Sequence, residues 1–207
     1  MIDKFVTPEL FPSAGWFAAL PPKSIVVFPL DSRWNKRVKT THRYRVADVN
    51  GPIDLTLPIM KPQSLSRCTL ADIRISNHGN WWHVHRVTLE SGYGRTPYFE
   101  HYFPKLEKFF KENTISEFPY LWQFLLASTQ ALATIIGLDI KFATGLGYGC
   151  ETTVIPATLP PYHQIRQQKL GFIPGLSILD MLFNKGPETI LYLRNFYNKS
   201  NHNVSNS

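Results

Sequence analysis

The run Tyr44-Arg-Val-Ala-Asp-Val-Asn-Gly-Pro-Ile-Asp-Leu-Thr-Leu57 decides how the chain is read. Ile53-Asp-Leu-Thr-Leu57 alternates apolar and polar residues, Asn50-Gly51 is a turn dipeptide, and residues 44–49 form a second extended run, so the stretch predicts an antiparallel hairpin. Working outward, Ser24-Ile-Val-Val-Phe28 is a short apolar strand and Ala71-Asp-Ile-Arg-Ile-Ser76 alternates again. Three or four strands, mostly antiparallel by their short connections, are therefore expected before residue 80.

Beyond Asn77-His-Gly-Asn80 the period changes. Trp82, His85, Leu89 and Tyr93 share one face of a helix, a second helix is expected over residues 98–111 and a third over residues 122–136. Leu138-Asp-Ile-Lys-Phe-Ala143 reads as a late strand. Near the C-terminus Ser177-Ile-Leu-Asp180 opens a helix, Leu179, Leu182 and Phe183 give it an apolar stripe, and Gly186-Pro187 closes it and starts another. The expected class is α+β: a mostly antiparallel sheet from the N-terminal third plus a late strand, packed with helices from the middle and C-terminal parts. With 207 residues, 43% of them hydrophobic, one domain over residues 1–198 with a frayed polar tail over 199–207 is the expected organisation.

Several classes lose support at once. Residues 118–138 carry no charge over a length that could span a bilayer, but Gln123, Ser128, Thr129, Gln130 and Thr134 favour a buried core helix, so no membrane span is expected. Asp3, Glu9 and four prolines within the first 28 residues do not make an export signal, and a cytoplasmic location is expected. Cys68 and Cys150 sit in no disulfide or zinc spacing and read as two reduced thiols. Gly145-Leu-Gly-Tyr-Gly149 lacks the register and the Lys-Ser/Thr of a phosphate loop and reads as a plain loop, as does the proline-rich stretch 156–162. His83 and His85 would point roughly 200° apart on a helix, which leaves no metal site, and no spacing supports a nucleophile elbow or a Cys-His pair.

The charge is informative once it is mapped. Lys and Arg number 22 against 15 Asp and Glu, a net charge of +7, and the surplus lies in Arg33, Lys36, Arg37, Lys39, Arg43 and Arg45, with no acid between Ser32 and Ala47. If the segment is extended, Arg37, Lys39, Arg43 and Arg45 point the same way, either as a solvated edge that discourages strand pairing or as an anion site. Trp34, His42 and Tyr44 interleave with the bases and could stack nucleobases, yet no nucleic-acid-binding motif is present. His85, on the face shared with Leu89 and Tyr93, is either a hydrogen-bonded core residue or an acid/base group. Asp180 and Asn184, at i and i+4, serve either the helix start and closing turn or a pocket.

Several segments together resemble the WbqC-like family. The strongest are Pro161-Tyr-His-Gln164 and Gly171-Phe-Ile-Pro-Gly-Leu-Ser-Ile-Leu-Asp-Met-Leu-Phe-Asn-Lys-Gly-Pro187, with weaker matches at His42-Arg-Tyr-Arg45, Leu55-Thr-Leu-Pro58, residues 85–93 and Pro97-Tyr-Phe99. The resemblance implies a bacterial protein of O-antigen and related polysaccharide clusters. It further implies a transferase-like enzyme moving an acyl or aminoacyl group, for example glycyl, in surface-polysaccharide metabolism. Carried over by position, its motif residues are Arg43, Arg45, His85, Tyr93, Gln164, Asp180 and Asn184. They are expected around one pocket, with His85, Asp180 and Tyr93 catalytic and Arg43, Arg45, Gln164 and Asn184 holding the substrate. The expected partner is a phosphate- or carboxylate-bearing small molecule, a nucleotide-sugar or an activated acyl donor; no cofactor is indicated. Where the family often begins His-Gln-Pro this chain has Val6-Thr-Pro8, so chemistry through that histidine does not carry over. The alternative is a non-catalytic module that binds a polyanion or nucleic acid through the cluster at residues 33–45.

Overall fold

The computed structural model describes residues 3–60, 68–147 and 158–204. Its sheet is parallel: β1 (Asp3–Phe5) and the later β5 (Ile140–Gly145) flank β2 (Ser24–Pro29), and both run in the same direction as it. The short helix α1 (Ala14–Ala18) connects β1 to β2, its first turn capped by the Ser13 hydroxyl, which accepts from the Trp16 amide. Val26 and Phe28 on one face and Val27 on the other are all buried, so the strand is covered on both faces.

The expected hairpin forms separately, from β3 (Arg43–Asp48) and β4 (Gly51–Thr56), paired antiparallel from Arg43↔Thr56 to Asp48↔Gly51. The ladder places Val49 and Asn50 in the turn, one residue earlier than the Asn-Gly dipeptide suggests, and Gly51 opens β4 at a φ of 132° that a side chain would resist. The sheet is thus not mostly antiparallel: the strands of the N-terminal third divide between a three-stranded parallel sheet and a two-stranded antiparallel one. Residues 71–76 do not form the expected strand. A 3-10 turn (Leu70–Asp72) is closed by Asp72 bonding back to Thr69, and the segment then makes only single bridges, Arg74 to Tyr120 and Ile75 to Ile59. The alternation there reflects burial, since Ile73 and Ile75 enter the core.

Among the described residues, five α-helices follow the hairpin before the late helices of the C-terminal part. These are α2 (Trp81–Tyr93), α3 (Phe99–Leu106), a single-turn α4 (Thr114–Glu117), α5 (Leu121–Ile136) and, after β5, α6 (Gln167–Leu170); α7 (Ile178–Lys185) and α8 (Thr189–Val204) complete the chain. None of the helices among the described residues is long and apolar enough to cross a membrane. The polar residues of α5 have local uses: Ser128 donates to the Leu125 carbonyl, Thr134 to that of Gln130, and the Gln130 side chain accepts the Phe142 amide of β5. Gly147 donates its amide to Asp31, so the described part of the glycine-rich loop faces a carboxylate. The rest of that loop, Cys150 and residues 148–157 lie outside the described residues, and the expected tail from residue 199 falls on the end of α8 and beyond it. Cys68 is a buried free thiol.

Helix α2 lies on β3 at very close range. A Cβ on Gly92 would stand 2.6 Å from the Ala47 carbonyl oxygen, a backbone atom with little freedom to yield. Gly92→Ala is therefore expected to destabilise the protein by about 2 kcal/mol in urea titration, and an unchanged midpoint would contradict this packing.

Candidate functional site

The hairpin presents two chemically different faces. Tyr44, Val46 and Leu55 point into the core, while Arg43, Arg45 and Asp54 point outward. Arg45 grips Asp54 in a fork, Nε to Oδ1 at 2.7 Å and Nη2 to Oδ2 at 3.2 Å, and Arg43 donates from Nε to the Thr56 hydroxyl at 3.0 Å with Nη1 3.9 Å from Asp54. The fork holds the Asp54 carboxyl below the usual range. The arginine side chains remain 40% and 55% exposed, so the ion pairs orient them without sequestering them.

Backbone bonds bring two distant segments to this face. The Ser177 amide donates to the Arg45 carbonyl at 2.7 Å, the Ile178 amide to the Pro12 carbonyl, and the Leu10 amide to the Thr40 carbonyl. The result is a cleft of about 440 Å³ whose lining includes Glu9, Ser13, Lys39, Arg43, Arg45 and Ser177. Phe11 in its wall holds a left-handed φ of 39°, kept there by rings of Tyr44, Phe109, Phe110 and Phe124 around its own. Burial raises the Glu9 carboxyl to about 7, opposed by a hydrogen bond with Thr40. Lys39 lies in a turn and not in the strand, so it reaches the cleft from its rim.

His85 stands behind this face. Its ring is 2% exposed; Nε2 lies 3.2 Å from the Thr56 carbonyl, to which it can only donate, and Nδ1 accepts from the Tyr44 hydroxyl at 3.3 Å. Burial lowers it to about 4, with the Thr56 bond opposing, so the ring is neutral near pH 7. Thr56 joins the two faces, its hydroxyl serving Arg43 and its carbonyl His85. Tyr44, 4% exposed, is turned inward and away from any stacking role with Trp34 and His42. His83, two residues from His85, is exposed on the opposite side of the helix.

The remaining predicted residues meet in a second, buried cluster. Asp180, 1% exposed at the start of α7, accepts on Oδ2 from the Tyr162 hydroxyl at 2.6 Å and from Gln164 Nε2 at 3.0 Å, with a further bond from the Tyr93 hydroxyl. Tyr93 also accepts the Ala47 amide at 2.8 Å, which ties β3 to α7. Gln164 is fixed at both ends by the Ile173 backbone, and Asn184 accepts the Ile165 amide while donating to the Asp180 carbonyl. Desolvation raises the Asp180 carboxyl against these three donors, and no cation is paired with it among the described residues.

Arg43 and Arg45 therefore line an open cleft, His85 backs it, and Tyr93, Gln164, Asp180 and Asn184 form a closed network joined to it through β3. Glu9 is the residue the sequence reading missed; its signal is a lone acid between two prolines in an otherwise apolar run. A model of the WbqC-like protein family matches residues 7–153 and 146–192, which together make up most of the chain. No curated protein and no solved structure matches it.

Proposed function

The chain belongs to the WbqC-like protein family, and from that premise we propose that it is a transferase-like enzyme moving an acyl or aminoacyl group, such as glycyl, in bacterial surface-polysaccharide metabolism. The cleft at Arg43 and Arg45 holds the anionic part of the substrate, a phosphate or carboxylate of a nucleotide-sugar or activated acyl donor. One observation carries this reading: Lys39, Arg43 and Arg45 line a cleft of ligand size, and among the described residues Asp54 is the one acid in ion pairs with the two arginines. Three cations against Asp54 and a Glu9 carboxyl that burial holds partly neutral leave a surplus suited to a small oxyanion. His85, Tyr93 and Asp180 act by position in this account: His85 fastens α2 to the hairpin, and Tyr93 with Asp180 holds the hairpin against the first turn of α7.

Titration with inorganic pyrophosphate, followed by calorimetry, tests the reading. Arg43→Ala and Arg45→Ala are each expected to weaken binding about tenfold, the loss of one partly exposed charge-assisted contact. Added salt is expected to weaken binding only modestly. A steep salt dependence would favour the polyanion-binding alternative, whose contacts multiply along a polymer. Binding unaffected by either substitution would remove the anion site from this cleft.

A further inference from the structure

Glu9 is a second acid, beside Asp54, in the cleft that Lys39, Arg43 and Arg45 line, and its placement gives that cleft a second property. Its backbone is pinned on both sides: Pro8 precedes it, and the next residue, Leu10, donates its amide to the Thr40 carbonyl at 2.8 Å before the strained turn at Phe11. Its carboxyl has Thr40 as hydrogen-bonding partner and forms no ion pair with Lys39, Arg43 or Arg45 among the described residues, although all four side chains line the same cleft. Glu9 thus shares its cleft with any anion held by the arginines. As a carboxylate it repels that anion; protonated, it can donate to it.

We infer that the cleft takes up its oxyanion together with one proton carried by Glu9, so that the ligand class is a phosphate-, sulfate- or carboxylate-type group that accepts a hydrogen bond from the neutral Glu9 carboxyl. This rests on the reading of the cleft as an anion site. Its sign follows from linkage: an anion favours the protonated form, and binding tightens as pH falls through the Glu9 titration. Burial already places that titration near neutrality, at about 7. The other charged and titratable residues that line the cleft with Glu9 are Lys39, Arg43, Arg45, Asp54 and Tyr44, whose hydroxyl is turned inward to His85. Asp54 is held low and Tyr44 high, so neither changes charge in this range. His42, in the same turn as Lys39, is pushed below the usual histidine range by burial and its basic neighbours.

Sulfate keeps its charge across neutral pH and is the suitable probe. Its affinity is expected to be about tenfold higher at about pH 5.5 than at about pH 8.5, the effect of one carboxylate across such a cleft at an effective dielectric constant of about 20 or more. About half a proton should be taken up per sulfate bound near neutral pH, the uptake that a tenfold coupling implies. Glu9→Gln is expected to flatten the pH dependence, His42→Gln to leave it in place, and Arg43→Ala to weaken sulfate at every pH. Equal wild-type affinities at both pH values, with Arg43 still required, would overturn the proton coupling and leave the anion site standing. Sulfate binding indifferent to Arg43 would overturn the anion site itself. Carbon-13 detection of the Glu9 carboxyl without ligand gives an independent reading: a midpoint near the ordinary glutamate value of about 4.3 would also overturn the coupling.

Discussion

Asp180→Ala is expected to cost the fold about 3–5 kcal/mol, the largest effect of any single substitution considered for this protein. The carboxylate is the common acceptor for the Tyr162 and Tyr93 hydroxyls and the Gln164 amide, and removing it strands three buried donors at once. The damage extends beyond α7. Tyr93 also caps the Ala47 amide, so a released Tyr93 loosens β3, and with it the arginines on its outer face. Asp180→Asn retains an acceptor oxygen, and because burial already pushes the carboxyl towards its neutral form the expected cost is smaller, about 1–2 kcal/mol. Urea denaturation of the two variants separates the cases. Equal and small losses would show that the network contributes little to stability.

The second large effect concerns pH. Glu9 has a folded value of about 7 against an ordinary 4.5, so its contribution to stability is fully present below about 4.5 and is lost as pH rises through 7. His85 runs the other way: with a folded value of about 4 against 6.5, its contribution is present above 6.5 and is lost as pH falls through 4. Each shift corresponds to at most about 3 kcal/mol, and the two oppose each other across the same interval. The wild-type protein is therefore expected to change little in stability between about pH 6.5 and 4.5, with Asp180, also raised, reinforcing Glu9. Glu9→Gln should remove the Glu9 side of this balance, so that acidification over that interval costs the variant about 2–3 kcal/mol more than it costs the wild type. Urea midpoints measured across the range check this; parallel curves for the wild type and Glu9→Gln would contradict it.

The hairpin was legible because its evidence is local. Alternation at Ile53-Asp-Leu-Thr-Leu57 and a turn signal within a few residues specify two strands and their partner together. β2 and β5 were legible as strands but not as neighbours, since periodicity along a strand does not say which distant segment pairs with it. Here Ser24 pairs with Ile140, across the hairpin and four helices. The strand expected at residues 71–76 failed for a related reason: Ile73 and Ile75 alternate in burial, and burial alone does not require a ladder.

The site divides along the same line. Arg43 and Arg45 could be placed on one face from strand parity, and Asp180 and Asn184 on one helix face from their spacing. That the first pair is open to solvent and the second closed within a network depends on Tyr162, Gln164 and the Ile173 backbone folding over α7. Glu9 belongs to the cleft only because Leu10 and Pro12 bond to Thr40 and Ile178, contacts between segments far apart in the chain.

The central claim is that small anions bind between Glu9, the arginines of β3 and the N-terminal turn of α7. Amide chemical-shift mapping during titration with inorganic pyrophosphate tests it most directly. The account predicts saturable shifts concentrated at Glu9, Leu10, Thr40, Arg43, Arg45 and Ser177, the residues that line or close the cleft. Shifts concentrated instead at the groove lined by Lys23, Asp139, Arg194 and Tyr197, with the cleft residues unmoved, would contradict it.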